Sequence, residues 1–199
     1  MDDALIVFVR YPEAGKVKTR LAQSVGAEAA ARIYRDLVES NLKILLPLKE
    51  VGIEIVISFD PPQKEEAVKQ WLSGPYRYLS QAGGDLGCRM CDAFETLFKE
   101  GGKKAILIGS DTLGLTPSLI RQGFQALQHS QVVMGPAKDG GYYLIGLSRP
   151  WPRLFENIPW STSDVLRLTL ERAKEEHLSC LLLDELEDLD KIENMRREK

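Results

Sequence analysis

Short apolar runs alternate along the chain with longer stretches in which apolar residues recur every three or four positions, the pattern of strands feeding helices. Ala4 to Arg10 (ALIVFVR) is a continuous apolar run with β-branched members, which predicts a central strand buried on both faces. A helical pattern begins near Leu21 and is strong from Ala27 to Leu45, where Ile33, Leu37, Val38, Leu42 and Leu45 share helical spacing. Ile53 to Phe59 reads as a second strand, Pro61-Pro62 as a turn and Lys64 to Leu72 as an amphipathic helix. A short strand around Tyr76 to Leu79 precedes a helix carrying Met90, Phe94, Leu97 and Phe98. Lys104 to Gly109 is another buried strand, and Thr116-Pro117 places an N-cap and a first-turn proline before a helix over Ser118 to Leu127. Gln131 to Met134 and the stretch resuming at Leu144-Ile145 are extended, and Trp151 to Trp160 is irregular and marked by prolines. Ser161 to Ser163 offer N-caps for a helix reaching about Glu176, and Cys180 to Leu183 is a last strand. Strands and helices at βαβ spacing predict an α/β fold with a mostly parallel sheet, helices on both faces and one hairpin-like excursion near Gly140.

Composition narrows the class. At 199 residues, 44% hydrophobic and 28% charged, the chain suits one compact domain over 1–199 with a sizeable core. A formal net charge of -3, from 26 basic and 29 acidic residues without a long basic block, argues against nucleic acid as a partner. No apolar run approaches the roughly 20 residues of a transmembrane helix, so no membrane insertion and a cytoplasmic location are expected. Three cysteines make no disulfide framework, and Cys88 and Cys91 read as two helix cysteines three apart. Neither histidine sits in a catalytic or metal-binding pattern, and no serine nucleophile elbow is present. Oligomeric state is not readable from the sequence.

The candidate chemistry lies where strands end. The strand ending in Gly109 empties into Ser110 and Asp111, and in open α/β sheets ligands bind beyond the carboxyl ends of strands. A carboxylate there is well placed to hold a divalent cation, Mg²⁺ or Mn²⁺, against a phosphate. Between the first strand and first helix, YPEAGKVKTR brings Lys16, Lys18 and Arg20 within five positions, either a solvated turn or a phosphate cradle. It is not a P-loop, because Val17 follows Gly15-Lys16 where Ser or Thr is required. In QAGGDLGCR, Gly83, Gly84 and Gly87 allow close backbone approach, and Asp85 reads as a helix cap beside them. GPAKDGGYYLIG sets Asp139 before Gly140, Gly141, Tyr142 and Tyr143, a hairpin turn that also makes a polar and aromatic wall. In the acidic tail, Asp188 and Asp190 follow the last strand at a position suited to a second metal ligand.

The order RYPEAGKVKTRL, QAGGDLGCRM, LIGSDTLGLT, GPAKDGGYYLIGL, WST before a helix, and EDLDKIENM resembles a bacterial family of small glycosyltransferase-like proteins. Some members of that family are named after arsenosugar biosynthesis, and its fold is the three-layer GT-A, nucleotide-diphospho-sugar transferase fold. More distantly the chain is similar to molybdenum-cofactor and phospholactate nucleotidyltransferases. The resemblance implies that Lys18 and Arg20 neutralise a diphosphate, that Gly83, Gly84, Asp85 and Gly87 lie by the base or ribose, and that Asp111 binds the metal. It further implies that Asp139, Gly140, Gly141 and Tyr142 face the sugar or acceptor, with Asp188 as second metal carboxylate.

The expected function is a metal-dependent transferase using a nucleotide-activated donor, with Asp111 and Asp139 as catalytic residues. Its first form is a glycosyltransferase taking a nucleotide sugar and a small-molecule acceptor. A nucleotidyltransferase, joining an NTP to a phosphorylated small molecule with release of pyrophosphate, is the alternative. Two positions depart from the family pattern: Leu113 stands where a proline is common, and Asp188-Leu189-Asp190-Lys191 replaces Asp-Val-Asp-Thr. Those departures motivate a third reading, a nucleotide-binding protein with weakened catalysis.

Overall fold

The structure is a computed structural model that describes residues 3–186. Asp188, Asp190 and Lys191 therefore lie outside the described residues. Seven strands form one sheet in the order β3-β2-β1-β4-β6-β5-β7. In chain order these are β1 (Asp3–Arg10), β2 (Ile53–Asp60), β3 (Arg77–Ser80), β4 (Lys104–Gly109), β5 (Val132–Pro136), β6 (Tyr142–Leu147) and β7 (Cys180–Leu182). The helices are α1 (Thr19–Val25), α2 (Ala27–Leu45), α3 (Glu65–Trp71), α4 (Leu86–Lys99), α5 (Pro117–Ala126) and α6 (Val165–Glu175).

Every strand pair is parallel except those made by β6, which runs antiparallel to both β4 and β5. The excursion expected near Gly140 is thus the β5–β6 hairpin. β1 alternates its side chains between two cores, as a strand buried on both faces must. Leu5, Val7 and Val9 meet α2, α3 and α5 on one side, through Val38, Leu42, Val68, Ile120 and Phe124. Ala4 and Ile6 meet α4 and α6 on the other, through Met90, Phe94, Leu97 and Ala173. These are the three layers that the apolar pattern implied.

Local signals explain some of the helix ends. Thr116 Oγ1 accepts from the Leu119 N–H at 3.2 Å, with Pro117 in the first turn of α5. Asp85 caps α4 by accepting the Cys88 N–H at 2.8 Å. The pattern that begins near Leu21 proves to be a separate helix, α1, because Gly26 at φ 84 breaks the chain before α2. Ser161 to Ser163 do not cap α6, which starts later at Val165; Thr162 Oγ1 instead donates to the Pro159 carbonyl and accepts the Asp164 N–H. None of the helices among the described residues is long and apolar enough to cross a membrane.

Candidate active site

The strand order reverses between β1 and β4. β3, β2 and β1 succeed one another outward to one side, while the chain crosses to β4 on the other, so the loops leaving β1 and β4 part at a switch point. Phe8 is in register with Gly109, which brings the loop after Arg10 and the loop holding Asp111 out side by side. A cleft of about 830 Å³ opens there.

The first loop is folded back by backbone bonds from Tyr11 N–H to the Asp60 carbonyl and from Lys16 N–H to the Glu13 carbonyl. Val17 is buried, anchoring the loop to the core, and Lys18 adopts a left-handed backbone, φ 45 and ψ 49, that turns the chain into α1. The consequence is an ion pair between two expected site residues. Lys18 Nζ lies 2.7 Å from Asp111 Oδ2, with the lysine side chain 9% exposed and the aspartate 30%. Lys16 pairs with Glu13 at 2.9 Å, and Lys16 and Arg20 line the same cleft.

The Asp111 loop is held from α2. Tyr34 and Asn41 stand two turns apart on one face of that helix. The Arg10 N–H donates to the Tyr34 hydroxyl at 3.0 Å, and the same hydroxyl lies 3.0 Å from Ser110 Oγ. The Asn41 amide donates to the carbonyls of Ser110 and Thr112, at 3.1 and 3.0 Å, on both sides of Asp111. Burial first, and then the charge of Asp111, pushes the Tyr34 phenol up to about 12. Gly109 matters because a Cβ there would come within 3.3 Å of Asp111 Oδ1 and 3.6 Å of Thr112 Oγ1. That Thr112 hydroxyl is buried without a hydrogen-bond partner, so an orphaned oxygen neighbours the carboxylate. Hard oxygen donors of this kind suit Mg²⁺ or Mn²⁺, although among the described residues no three-ligand cluster forms.

A second charged group lines the cleft at the end of β2. Asp60 Oδ2 lies 3.5 Å from both Arg10 Nε and an Arg89 guanidinium nitrogen. Arg89 also donates to the Gly84 carbonyl at 3.2 Å. Gln81 is oriented by its amide bond to the Ser58 carbonyl at 2.9 Å and presents Oε1 to Arg89 at 3.5 Å. None of these was singled out as a site residue in the sequence, although Asp60 closes the apolar strand β2 and Asp111 follows two residues after β4.

Asp139 lines the cleft from the β5–β6 turn, with Oδ1 accepting the Gly141 N–H at 2.9 Å. Gly140, at φ 88, packs against Ser163: a Cβ would come within 2.2 Å of the Ser163 carbonyl oxygen. Its own carbonyl accepts the Leu166 N–H at 3.0 Å, which docks the turn on the start of α6 and places Ser161, Thr162 and Ser163 on the cleft wall. The last described residue, Leu186, pairs with Ala137, and its side chain lies 3.7 Å from the Cβ position of Gly114.

Of the expected site residues, Lys16, Lys18, Arg20, Asp111 and Asp139 converge on this cleft. Gly83, Gly84, Asp85, Gly87, Gly140, Gly141 and Tyr142 are not among the described residues that line it. The close approach expected at Gly87 is made by the protein itself, since a Cβ would come within 2.6 Å of the Trp160 ring and 2.8 Å of the Phe155 carbonyl oxygen. Gly84 supplies a positive φ of 98 beside Cys88, and Asp85 is the helix cap already described. The Tyr142 hydroxyl is buried on the α4 and α6 side of the sheet, where desolvation raises its pKa.

This sheet, with its antiparallel β6 and its cleft at the β1–β4 switch point, is the α/β fold of nucleotide-diphospho-sugar transferases and nucleotidyltransferases. The chain belongs to the family described as "Uncharacterized protein conserved in bacteria (DUF2064)", which matches residues 46–162. A crystal structure from Desulfovibrio desulfuricans G20, provisionally named a nucleotide-diphospho-sugar transferase, is 36% identical over 95% of this chain and 82% of that one, with a TM-score of 0.89. The fold is shared at lower identity with 4-diphosphocytidyl-2C-methyl-D-erythritol synthase from Anaerococcus prevotii: 11% identity, 98% of this chain, 95% of that one, TM-score 0.64. Glucosyl-3-phosphoglycerate synthase from Mycobacterium tuberculosis, solved with Mn²⁺, UDP and phosphoglyceric acid, is 13% identical over 94% of this chain and 69% of that one, TM-score 0.56. No curated protein matches the chain.

Proposed function

We propose that the chain, taken as one domain over 1–199, is a metal-dependent transferase that uses a nucleotide-activated donor, specifically a glycosyltransferase acting on a nucleotide sugar and a small-molecule acceptor. The observation that carries this reading is the Lys18–Asp111 pair at the switch point, where a cation and a carboxylate meet at 2.7 Å in a cleft also lined by Lys16, Arg20 and Asp139. Support also comes from the likeness to the Desulfovibrio protein across nearly the whole chain.

In this reading Lys18 and Arg20 receive the diphosphate, and their charge is worth most in the partly desolvated cleft when the leaving group gains negative charge. The bond between the sugar's anomeric carbon and the diphosphate oxygen breaks, and its electron pair stays on that oxygen. An acceptor hydroxyl forms the new bond to the anomeric carbon and its proton passes to the Asp139 carboxylate, which the Gly141 N–H orients. Asp111, with Asp188 as second carboxylate, would hold Mg²⁺ or Mn²⁺, which supplies a Lewis acid for the phosphate oxygens. Arg10, Asp60, Gln81 and Arg89 form the remaining wall, available to the nucleoside.

Calorimetry tests the proposal. Wild-type protein should bind nucleotide sugars or nucleoside diphosphates more tightly with Mn²⁺ present, and Asp111→Ala should abolish that metal dependence; unchanged binding in the variant overturns it. A nucleotidyltransferase is the second reading, favoured by the number of cations on the cleft: Arg10, Lys16, Lys18, Arg20 and Arg89 would suit a triphosphate. Pyrophosphate release from an NTP and a phosphorylated acceptor would decide for it.

A further inference from the structure

We propose that Lys18 is a built-in counter-ion that keeps Asp111 from a divalent cation until a nucleoside diphosphate draws its ammonium away, so that metal and nucleotide bind cooperatively. The inference rests on the reading of the cleft as a metal-dependent nucleotide site. Its basis is the geometry of one side chain. Lys18 has a left-handed backbone at the entry to α1, its side chain is 9% exposed, and its ammonium holds Asp111 Oδ2 at 2.7 Å, an oxygen that a metal on this carboxylate would compete for.

A divalent cation arriving alone must compete with the Lys18 ammonium for Asp111 and then remain beside that positive charge. A lone cation therefore meets in Asp111 a carboxylate already engaged by an ammonium. A diphosphate changes both sides of the exchange. Its oxygens give Lys18 a new anionic partner and give the metal further hard ligands, so each ligand removes the obstacle to the other. Such coupling is reciprocal: the factor by which nucleotide tightens metal equals the factor by which metal tightens nucleotide.

Mn²⁺ titration followed by the electron paramagnetic resonance signal of the free ion tests this without any assay of activity. Wild-type protein should bind Mn²⁺ weakly alone and about tenfold more tightly with saturating UDP or GDP, a coupling within the usual range. Lys18→Met should bind Mn²⁺ alone about tenfold more tightly than wild type, with the nucleotide effect reduced to about threefold or less. Lys18→Arg keeps a cation on Asp111 and should restore the wild-type pattern. Adding Asp111→Asn to Lys18→Met should remove the gain, which locates it at this carboxylate. If circular dichroism shows that Lys18→Met is unfolded, Lys18→Gln takes its place with the same expectation. An Mn²⁺ affinity that is unchanged by removing the Lys18 charge, or a nucleotide effect that persists undiminished, overturns the proposal. Failure of wild-type protein to bind UDP, GDP or CTP under any condition would instead remove the nucleotide-transferase reading, while the comparison of Mn²⁺ alone would still decide the role of Lys18.

Discussion

The Tyr34 hydroxyl lies 3.0 Å from Ser110 Oγ and also accepts the Arg10 N–H, so one phenol on α2 ties the end of β1 to the loop after β4, a single residue before Asp111. Removing it leaves the Arg10 N–H and the Ser110 hydroxyl without this partner in a buried setting. Tyr34→Phe should therefore lower stability by about 1–3 kcal/mol in urea denaturation.

The same phenol makes stability depend on alkaline pH. Its pKa in the folded protein is pushed from 10.0 up to about 12 by burial and then by the Asp111 charge. The folded state holds this proton longer than the unfolded one. Its contribution is complete below pH 10 and is lost as pH rises through about 12. Denaturation midpoints of wild type should fall more steeply over that interval than those of Tyr34→Phe, and parallel curves would contradict the assignment.

Asn41→Ala removes the donor shared by the Ser110 and Thr112 carbonyls. Two buried acceptors then lose a partner, at a cost of roughly 2–4 kcal/mol. Because these carbonyls flank Asp111, the variant should also weaken Mn²⁺-dependent nucleotide binding under conditions where it remains folded. Calorimetry at low temperature would separate that loss from global unfolding.

Gly140→Ala places a methyl 2.2 Å from the Ser163 carbonyl oxygen, at a residue whose φ of 88 already disfavours a side chain. The turn bearing Asp139 must then move off the start of α6. A loss of about 2–4 kcal/mol is expected, together with reduced transferase turnover. Gly83→Ala, with open space around its Cβ position, is the matched control and should be close to neutral.

Arg89→Met tests the part of the cleft lined by Arg89 and Asp60. Its pair with Asp60 is partly exposed, so stability should change by no more than about 1 kcal/mol. If the nucleoside lies along this wall, nucleotide affinity should fall about tenfold, the loss expected for one charge-assisted hydrogen bond of about 1.4 kcal/mol. An unchanged affinity would move the nucleoside elsewhere in the cleft.

The convergence of Lys16, Lys18, Arg20, Asp111 and Asp139 on the candidate cleft was legible because strand ends are local features. Asp111 follows a five-residue apolar run, and the loop from Lys16 to Arg20 follows another. The βαβ spacing alone is enough to point both toward one edge of a parallel sheet. Gly84 and Gly87 were legible as close approaches but not as to what approaches, whereas Gly83, expected to be the same, has open space around its Cβ position. At Gly87 the neighbour is Trp160, more than seventy positions away in the chain, and periodicity carries no information about such a pairing.

Periodicity and capping in the sequence thus determine the elements, their alternation and the chemistry carried at the carboxyl ends of the strands. Only the tertiary structure decides that β6 enters antiparallel between β4 and β5, that Tyr34 and Asn41 reach across 76 and 69 positions to Ser110, and that Asp60 meets Arg89. The reason is the range of the forces involved. Helix and strand patterns follow from neighbours a few residues apart, whereas the order of strands and the face of α2 turned to the cleft are set when distant apolar surfaces pack, and the polar partners are brought together by that packing.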